Sequence, residues 1–314
     1  MIIDVHAHHT PQALARALAD QPRPARRPAH RFPSPPLKFE DRLGLMAEAG
    51  VERQILSIAS GFYSEDERVG IRCASGVNDE LSQLCIERPQ HFSFWASLPL
   101  PHVGASLREA DRALALPGCV GVTINCAILG RSIADEIFDP LYGSLNEHRA
   151  IIFLHPCQNG LMSPLITDWD LTVCVGASME DAVAALHLIR RQIPLRYPKL
   201  RFIVPHFGGL LPMLLDRLDG QMLQEGFAEL PSATARRFFY DTVGWGSKPA
   251  LIAAVEAFGA GQLVPGSDYP ILLGWETYAQ TFAHIREAGL PPAIAEQILY
   301  RNVPEGLGIA ENPR

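Results

Sequence analysis

Eight short runs rich in Ile, Val, Leu and Phe recur along the chain, separated by longer stretches whose apolar residues fall at helical spacing. The runs are IIDVH (2–6), RQILSIA (53–59), FSFWASL (92–98), CVGVTI (119–124), AIIFLH (150–155), RFIVPH (201–206), FFYDTV (238–243) and QLVPGS (262–267). Most are continuously apolar rather than alternating, which suits parallel strands covered on both faces. Between them FEDRLGLMAEAG (39–50), GVNDELSQLCIERP (76–89), ASLREADRALAL (105–116), FDPLYGSLNEH (138–148), SMEDAVAALHLIRRQI (178–193) and PALIAAVEAFGA (249–260) read as helices. The first stops at Gly50 and the second at Pro89, and Ser178 with Asp181 forms a variant helix-start signal. Strands alternating with helices over the whole length predict an α/β fold, a (β/α)8 barrel. Residues 1–314 are expected to form a single barrel domain, with no internal repeat.

One segment breaks the rhythm. Residues 21–37, QPRPARRPAHRFPSPPL, hold six prolines and four arginines, Arg23, Arg26, Arg27 and Arg31. Prolines at that density exclude a regular helix or a central strand. The segment reads as a long loop inserted after the first strand, either a passive surface insertion or a wall whose arginines attract an anionic substrate.

Composition narrows the function classes. With 314 residues and 47% hydrophobic content the chain can bury one large core. The net charge is −7 and no long basic block is present, which argues against nucleic acid or an anionic membrane as partner. No run approaches the roughly 18 consecutive apolar residues of a membrane span, and the first residues lead straight into a strand-like run rather than a targeting signal. The six cysteines include no CxxC pair, so a reduced, cytoplasmic protein is expected. Cys157, just after His155, falls beside the site described next.

Candidate chemistry sits at the ends of the apolar runs. His6 and His8 close the first, His155 the fifth and His206 the sixth, and Asp268 follows the eighth. Side chains at the carboxyl ends of barrel strands converge on one face, and His-x-His on a strand places both rings on one side. Three imidazoles and a carboxylate suit Zn²⁺, or Mn²⁺, Fe²⁺ or Co²⁺ at a more open site. Asp268 can also take a proton from water or substrate. His206 precedes Phe207-Gly208-Gly209, where glycine lets backbone approach a ligand closely; it can ligate, donate a proton or hold a water. Phe62, Tyr63, Trp169, Trp245 and Tyr269 are candidates to line a slot for a planar ring.

IIDVHAHHTP, FLHP, PHFGG and GSDYP, with FWASLPL (94–100) and DPLYGSLNEHRAIIFLHP (139–156), resemble the amidohydrolase superfamily across essentially the whole chain. More narrowly they resemble its amidohydrolase-related group, which includes aminocarboxymuconate semialdehyde decarboxylase, γ-resorcylate decarboxylase and 6-methylsalicylate decarboxylase. The resemblance implies a TIM barrel of the metal-dependent hydrolase type, with His6, His8, His155 and Asp268 as ligands of one divalent ion. His206 is implied as the acid/base, with Asp268 sharing that role, and Arg42 and Trp169 as substrate-binding residues. No position matches the carbamylated lysine of the binuclear hydrolases, which favours a mononuclear site. The implied activity is nonoxidative decarboxylation of a small aromatic or muconate-type carboxylic acid. Hydrolysis of a lactone, ester or amide, or hydration of a conjugated acid, is the alternative on the same ligands. The group's habit of forming dimers or higher homo-oligomers is implied as well.

Overall fold

A computed structural model describes residues 1–19, 39–59, 62–222 and 227–309. Eight parallel strands follow one another in sequence order around a barrel: β1 (Ile2–His8), β2 (Val51–Ser57), β3 (Phe92–Ala96), β4 (Cys119–Asn125), β5 (Ile151–His155), β6 (Arg201–Val204), β7 (Phe239–Asp241) and β8 (Leu263–Val264). The last closes on the first. Val5 N–H donates to the Pro265 carbonyl at 2.9 Å, Asp268 N–H to the His6 carbonyl at 2.8 Å, and Ala7 pairs in parallel with Tyr269. The expected (β/α)8 architecture is present. Its helices include α1 (Phe39–Ala49), α2 (Glu67–Glu87), α3 (Val103–Leu114), α4 (Asp139–Glu147), α5 (Ser178–Arg190) and α6 (Lys248–Phe258).

The strands read as continuous apolar runs because both faces are covered. One face meets the helices in a cluster that includes Leu56, Leu81, Phe94, Leu141, Leu188 and Tyr240. The other fills the barrel with Ile3, Val5, Ile55, Trp95, Phe153 and Ile203, closed below by Val303 and Leu307. Trp95 is fully buried there; its Nε1–H donates to the Val5 carbonyl at 2.9 Å and its ring stacks on Phe153 at 5.8 Å. This plug is a packed core rather than a pore.

Several elements differ from the sequence expectation, each for a local reason. β7 and β8 are shorter than their apolar runs. Pro265 offers no N–H, and Gly266 brings its backbone so near His6 and Asp241 that an added Cβ would lie 3.0 and 2.9 Å from their Cβ atoms. α2 begins at Glu67, nine residues early, because Asp66 caps it by accepting from the Arg68 and Val69 amides. Ser178 makes no side-chain cap; α5 continues from a wide-turned helical segment, Thr172–Ala177. A second wide-turned helix, Gln297–Leu307, was not read from the sequence, since Pro304 lies inside it. The stretch Thr172–Arg190 has the length and mean hydropathy of a membrane span, and 56% of that apolar window is buried in the barrel. The Pro/Arg-rich segment 21–37 lies outside the described residues.

Removal of the plug tests its contribution. Trp95→Ala should cost about 3–5 kcal/mol of unfolding free energy, since it leaves a large void and removes the hydrogen bond to the Val5 carbonyl. Denaturant titration measures this; a loss under about 1 kcal/mol would show that the interior is not close-packed.

Candidate metal centre

The site begins with an irregularity in β1. The β1–β2 pairing shifts register between Asp4 and Ala7. Below the shift, Ile3 and Val5 belong to the plug. Above it, the His6 ring stands edge-on to Phe153 at 4.9 Å and meets the ring of His8, also at 4.9 Å. An extra residue in a strand re-aims the side chains that follow, so β1 supplies apolar filling and then two ligands.

Four buried donors gather at the carboxyl end of the barrel. Nε2 of His6 lies 3.1 Å from Nε2 of His8, which lies 3.2 Å from Nε2 of His155 and 2.9 Å from Asp268 Oδ1. All four donor atoms fall within 4.8 Å of one another. Bonds of about 2.0–2.2 Å to one ion impose donor separations of about 3.0–3.4 Å. Hydrogen bonds behind the rings set the tautomers. His6 Nδ1–H donates to Asp241 Oδ2 at 2.7 Å and His155 Nδ1–H to the Pro156 carbonyl at 2.9 Å. His8 Nδ1 is 3.0 Å from Ser57 Oγ. Each Nε2 of His6 and His155 is thereby left with its lone pair facing the cluster, the arrangement of metal-binding histidines. Converging lone pairs need a proton or a cation between them, and the donor set fits one divalent ion.

Electrostatics point the same way. Burial drives His155 well below and His8 below the ordinary imidazole value, so both rings are neutral. Burial also penalises a charged His6, but Asp241 and Asp268 outweigh it and lift this imidazole to about 9 in the metal-free site. Burial opposes ionisation of Asp268 too, yet His6, His206 and His8 hold it well below the carboxylate range.

His206 stands apart from the four donors. Its Nε2 is 4.0 Å from Asp268 Oδ2, and its Nδ1 lies 2.8 Å from Asp181 Oδ2 at the start of α5. Burial would lower this imidazole, but Asp181 raises it well above the ordinary value; burial lifts Asp181 in turn to about 6. His206, Phe207 and Asp268 all have left-handed backbone, with φ of 52°, 55° and 59°, a strain that concentrates at functional sites. At Gly209 any Cβ would collide with the Ser178 carbonyl, so the turn behind His206 accepts only glycine there.

The remaining expected residues lie elsewhere. Arg42 is buried beside β1: its Nε–H donates to Gln54 Oε1 at 2.6 Å, its Nη1–H donates to the His8 carbonyl at 3.0 Å, and its guanidinium covers the Tyr269 ring at 4.4 Å. Trp169 is 73% exposed. Neither lines the cavity that opens on the donors. Of the aromatic candidates, Trp245 lines that cavity, whereas Tyr269 is buried under Arg42 and the Tyr63 hydroxyl accepts the Asn125 amide at 2.9 Å. Phe62 packs partly buried against the helix-side core. The Cys157 amide donates to Glu180 at 2.7 Å, and this cysteine is not among the cavity residues.

Two acids escaped the sequence reading. Asp241 ends β7, where FFYDTV already shows an acid closing an apolar run. Its Oδ2 holds His6 while its Oδ1 accepts the amides of His206 at 2.9 Å and Val243 at 3.1 Å. Asp181 reads in sequence as a helix-start residue, and its partner His206 is 25 positions away.

A parallel barrel with histidines and an aspartate at its carboxyl end defines the class as a metal-dependent barrel enzyme. The model of the amidohydrolase family matches residues 3–303. The chain belongs to that family. It is 30% identical over 280 residues to the 6-methylsalicylic acid decarboxylase of Penicillium expansum, covering 85% of this chain and 84% of the relative. It is 29% identical over 256 residues to the gamma-resorcylate decarboxylase of Rhizobium sp. (strain MTP-10005), covering 74% and 76%. A dihydroxybenzoic acid decarboxylase from Polaromonas sp., solved with manganese and 2-nitroresorcinol bound, shares the fold with a TM-score of 0.83 at 21% identity, covering 99% of this chain and 98% of that one.

Elemental analysis of the purified protein should find about one divalent ion per chain, and far less in folded Asp268→Ala and His155→Ala. Asp241→Asn should weaken metal affinity about 10- to 100-fold through its hold on His6. Because metal-free His6 is protonated below about 9, metal binding near pH 7 should expel about one proton and weaken as pH falls. Calorimetry in buffers of differing ionisation enthalpy counts that proton; a count of zero would contradict the His6 assignment.

Proposed function

We propose that this chain is a divalent-metal-dependent, nonoxidative decarboxylase of a small aromatic carboxylic acid. The observation that carries the reading is His206, tied to Asp181 and aimed beside the donor cluster at the floor of an apolar cavity. The named activities of the Penicillium and Rhizobium relatives support it. Three imidazoles and one carboxylate favour zinc on ligand chemistry; manganese is the ion in the Polaromonas structure.

The chemistry needs a proton delivered to the ring carbon that bears the carboxylate. His206, kept protonated by Asp181, donates from Nε2 to that carbon. The bond from the ring carbon to the carboxylate then breaks, its electron pair restores ring aromaticity, and CO₂ leaves. His206 recovers a proton from solvent, and Asp268 is the second group placed to pass one. His6, His8, His155 and Asp268 would hold a divalent ion, whose Lewis acidity would offset the charge that develops on the substrate. The cavity walls beside His206 are apolar, which suits a ring held over the donors. Six free cysteines, none in a disulfide, support a reducing, cytoplasmic setting.

Metal-loaded protein should release CO₂ from 2-hydroxybenzoates, lose the activity to a chelator and regain it on reconstitution. His206→Asn should lower kcat by about 10²–10⁴ with metal content unchanged, and Asp181→Asn should do so less severely. Hydrolysis of aryl esters or lactones without CO₂ release would sink the reading.

A further inference from the structure

The seam where the barrel closes is short of regular ladder. β8 contributes only Leu263 and Val264, and Pro265 after it offers no N–H. Past that point the chain must still deliver Asp268 to the donor cluster, on left-handed backbone. Ser267, the residue before it, is fully buried.

A side chain from β1 takes hold of this turn. Asp4 is fully buried, two residues before His6, at the lower edge of the register shift. Its Oδ1 accepts the amides of Ser267 at 3.0 Å and His6 at 3.2 Å. Its Oδ2 accepts Ser267 Oγ–H and the Tyr278 hydroxyl, each at 2.7 Å, and Gln54 Nε2–H at 3.2 Å. The Gln54 amide also donates to the Tyr278 oxygen at 2.7 Å. Arg42, whose Nε–H donates to Gln54 Oε1, brings a complementary charge to the group through that amide.

Keeping a carboxylate here is costly. Burial pushes the Asp4 carboxyl above its ordinary value, against the pull of Ser267 and Tyr278. Apolar side chains could close a seam at less expense, but they could not fix two main-chain amides. The two amides that Asp4 holds share one property: His6 is itself a donor of the cluster, and Ser267 precedes another. The arm from β1 and the arm from the turn after β8 therefore hang on the same carboxylate. Asp241 fixes the ring of His6; Asp4 fixes the main chain beneath it.

We propose that Asp4 is a positioning residue for the metal centre, setting the spacing of His6 and Asp268 by holding the His6 and Ser267 main chains together. That spacing is 3.3 Å between His6 Nε2 and Asp268 Oδ1. Asp4 does not line the cavity and acts only through its neighbours. The role goes beyond the decarboxylase reading and holds for any chemistry on these donors.

The test reads metal binding rather than turnover. Asp4→Asn keeps the shape of the side chain but turns amide hydrogens toward groups that donate. Its zinc Kd, measured by competition with a chromophoric chelator, is expected to rise about 10- to 100-fold in folded protein. The visible spectrum of the cobalt-substituted variant should change, because its bands report coordination geometry. Ser267→Ala should raise the Kd about three- to ten-fold, and the double variant should fall short of the product of the two effects. Leu141→Ala, in the helix-side core, controls for lost stability and should leave both readouts unchanged. Folded Asp4→Asn with the zinc Kd and cobalt spectrum of the wild type would overturn the proposal and reduce Asp4 to a barrel-closing group. An equal shift in Leu141→Ala would overturn it too, by tracing the effect to general loosening. Should Asp4→Asn not fold, Ser267→Ala decides alone, and an unchanged Kd there overturns the proposal. Wild type that binds no ion would sink the metal centre and this role with it. CO₂ release enters none of these outcomes, so the decarboxylase reading stands or falls separately.

Discussion

The structure depends on the convergence of four donors drawn from β1, β5 and the segment after β8. Nε2 atoms of His6, His8 and His155 and one oxygen of Asp268 lie within 4.8 Å of one another. In the ion-free cluster the Asp268 carboxylate ties the group together, 3.3 Å from a protonated His6 and 2.9 Å from His8. A divalent ion held there would take over as the largest local charge. The Asp241 carboxylate, the Pro156 carbonyl and Ser57 Oγ orient the rings, so the ligands are held in place before the ion arrives.

The plug beneath complements this. Trp95 and Phe153 fill the barrel to just below His6, so water cannot approach the donors from the amino-terminal end. The bulge in β1 is where the two regimes meet. Without it, strict alternation would carry the parity of Ile3 and Val5 upward and place His6 on the opposite face. One irregular residue pairing thus lets a single strand contribute to both a dry core and a polar cluster.

Much of this was legible in one dimension. Continuous apolar runs at regular spacing are what strands covered on both faces require, and the eight of them gave the barrel. The positions of His6, His8, His155, His206 and Asp268 at the ends of those runs were visible for the same reason. What stayed hidden were partners distant in sequence. Asp241 holds His6 across 235 positions, and an aspartate ending an apolar run reads equally well as a turn residue. Asp181 sits at a helix start, where acids are common for dipole reasons alone. Arg42 could not be placed because its partners, the His8 carbonyl and Gln54, come from two other elements. The cavity walls come from loops, where periodicity carries no signal.

Glu180, next to Asp181, has a role of another kind. Its carboxylate accepts four consecutive main-chain amides, those of Cys157, Gln158, Asn159 and Gly160, at 2.7–3.1 Å. The path of the loop behind His155 is therefore dictated by a side chain from a different element, not by the loop's own residues. Such a loop is not a portable unit. Anyone recombining this barrel with a relative would have to move residues 157–160 and the first turn of α5 together, because a crossover between them would separate the loop from the template that shapes it.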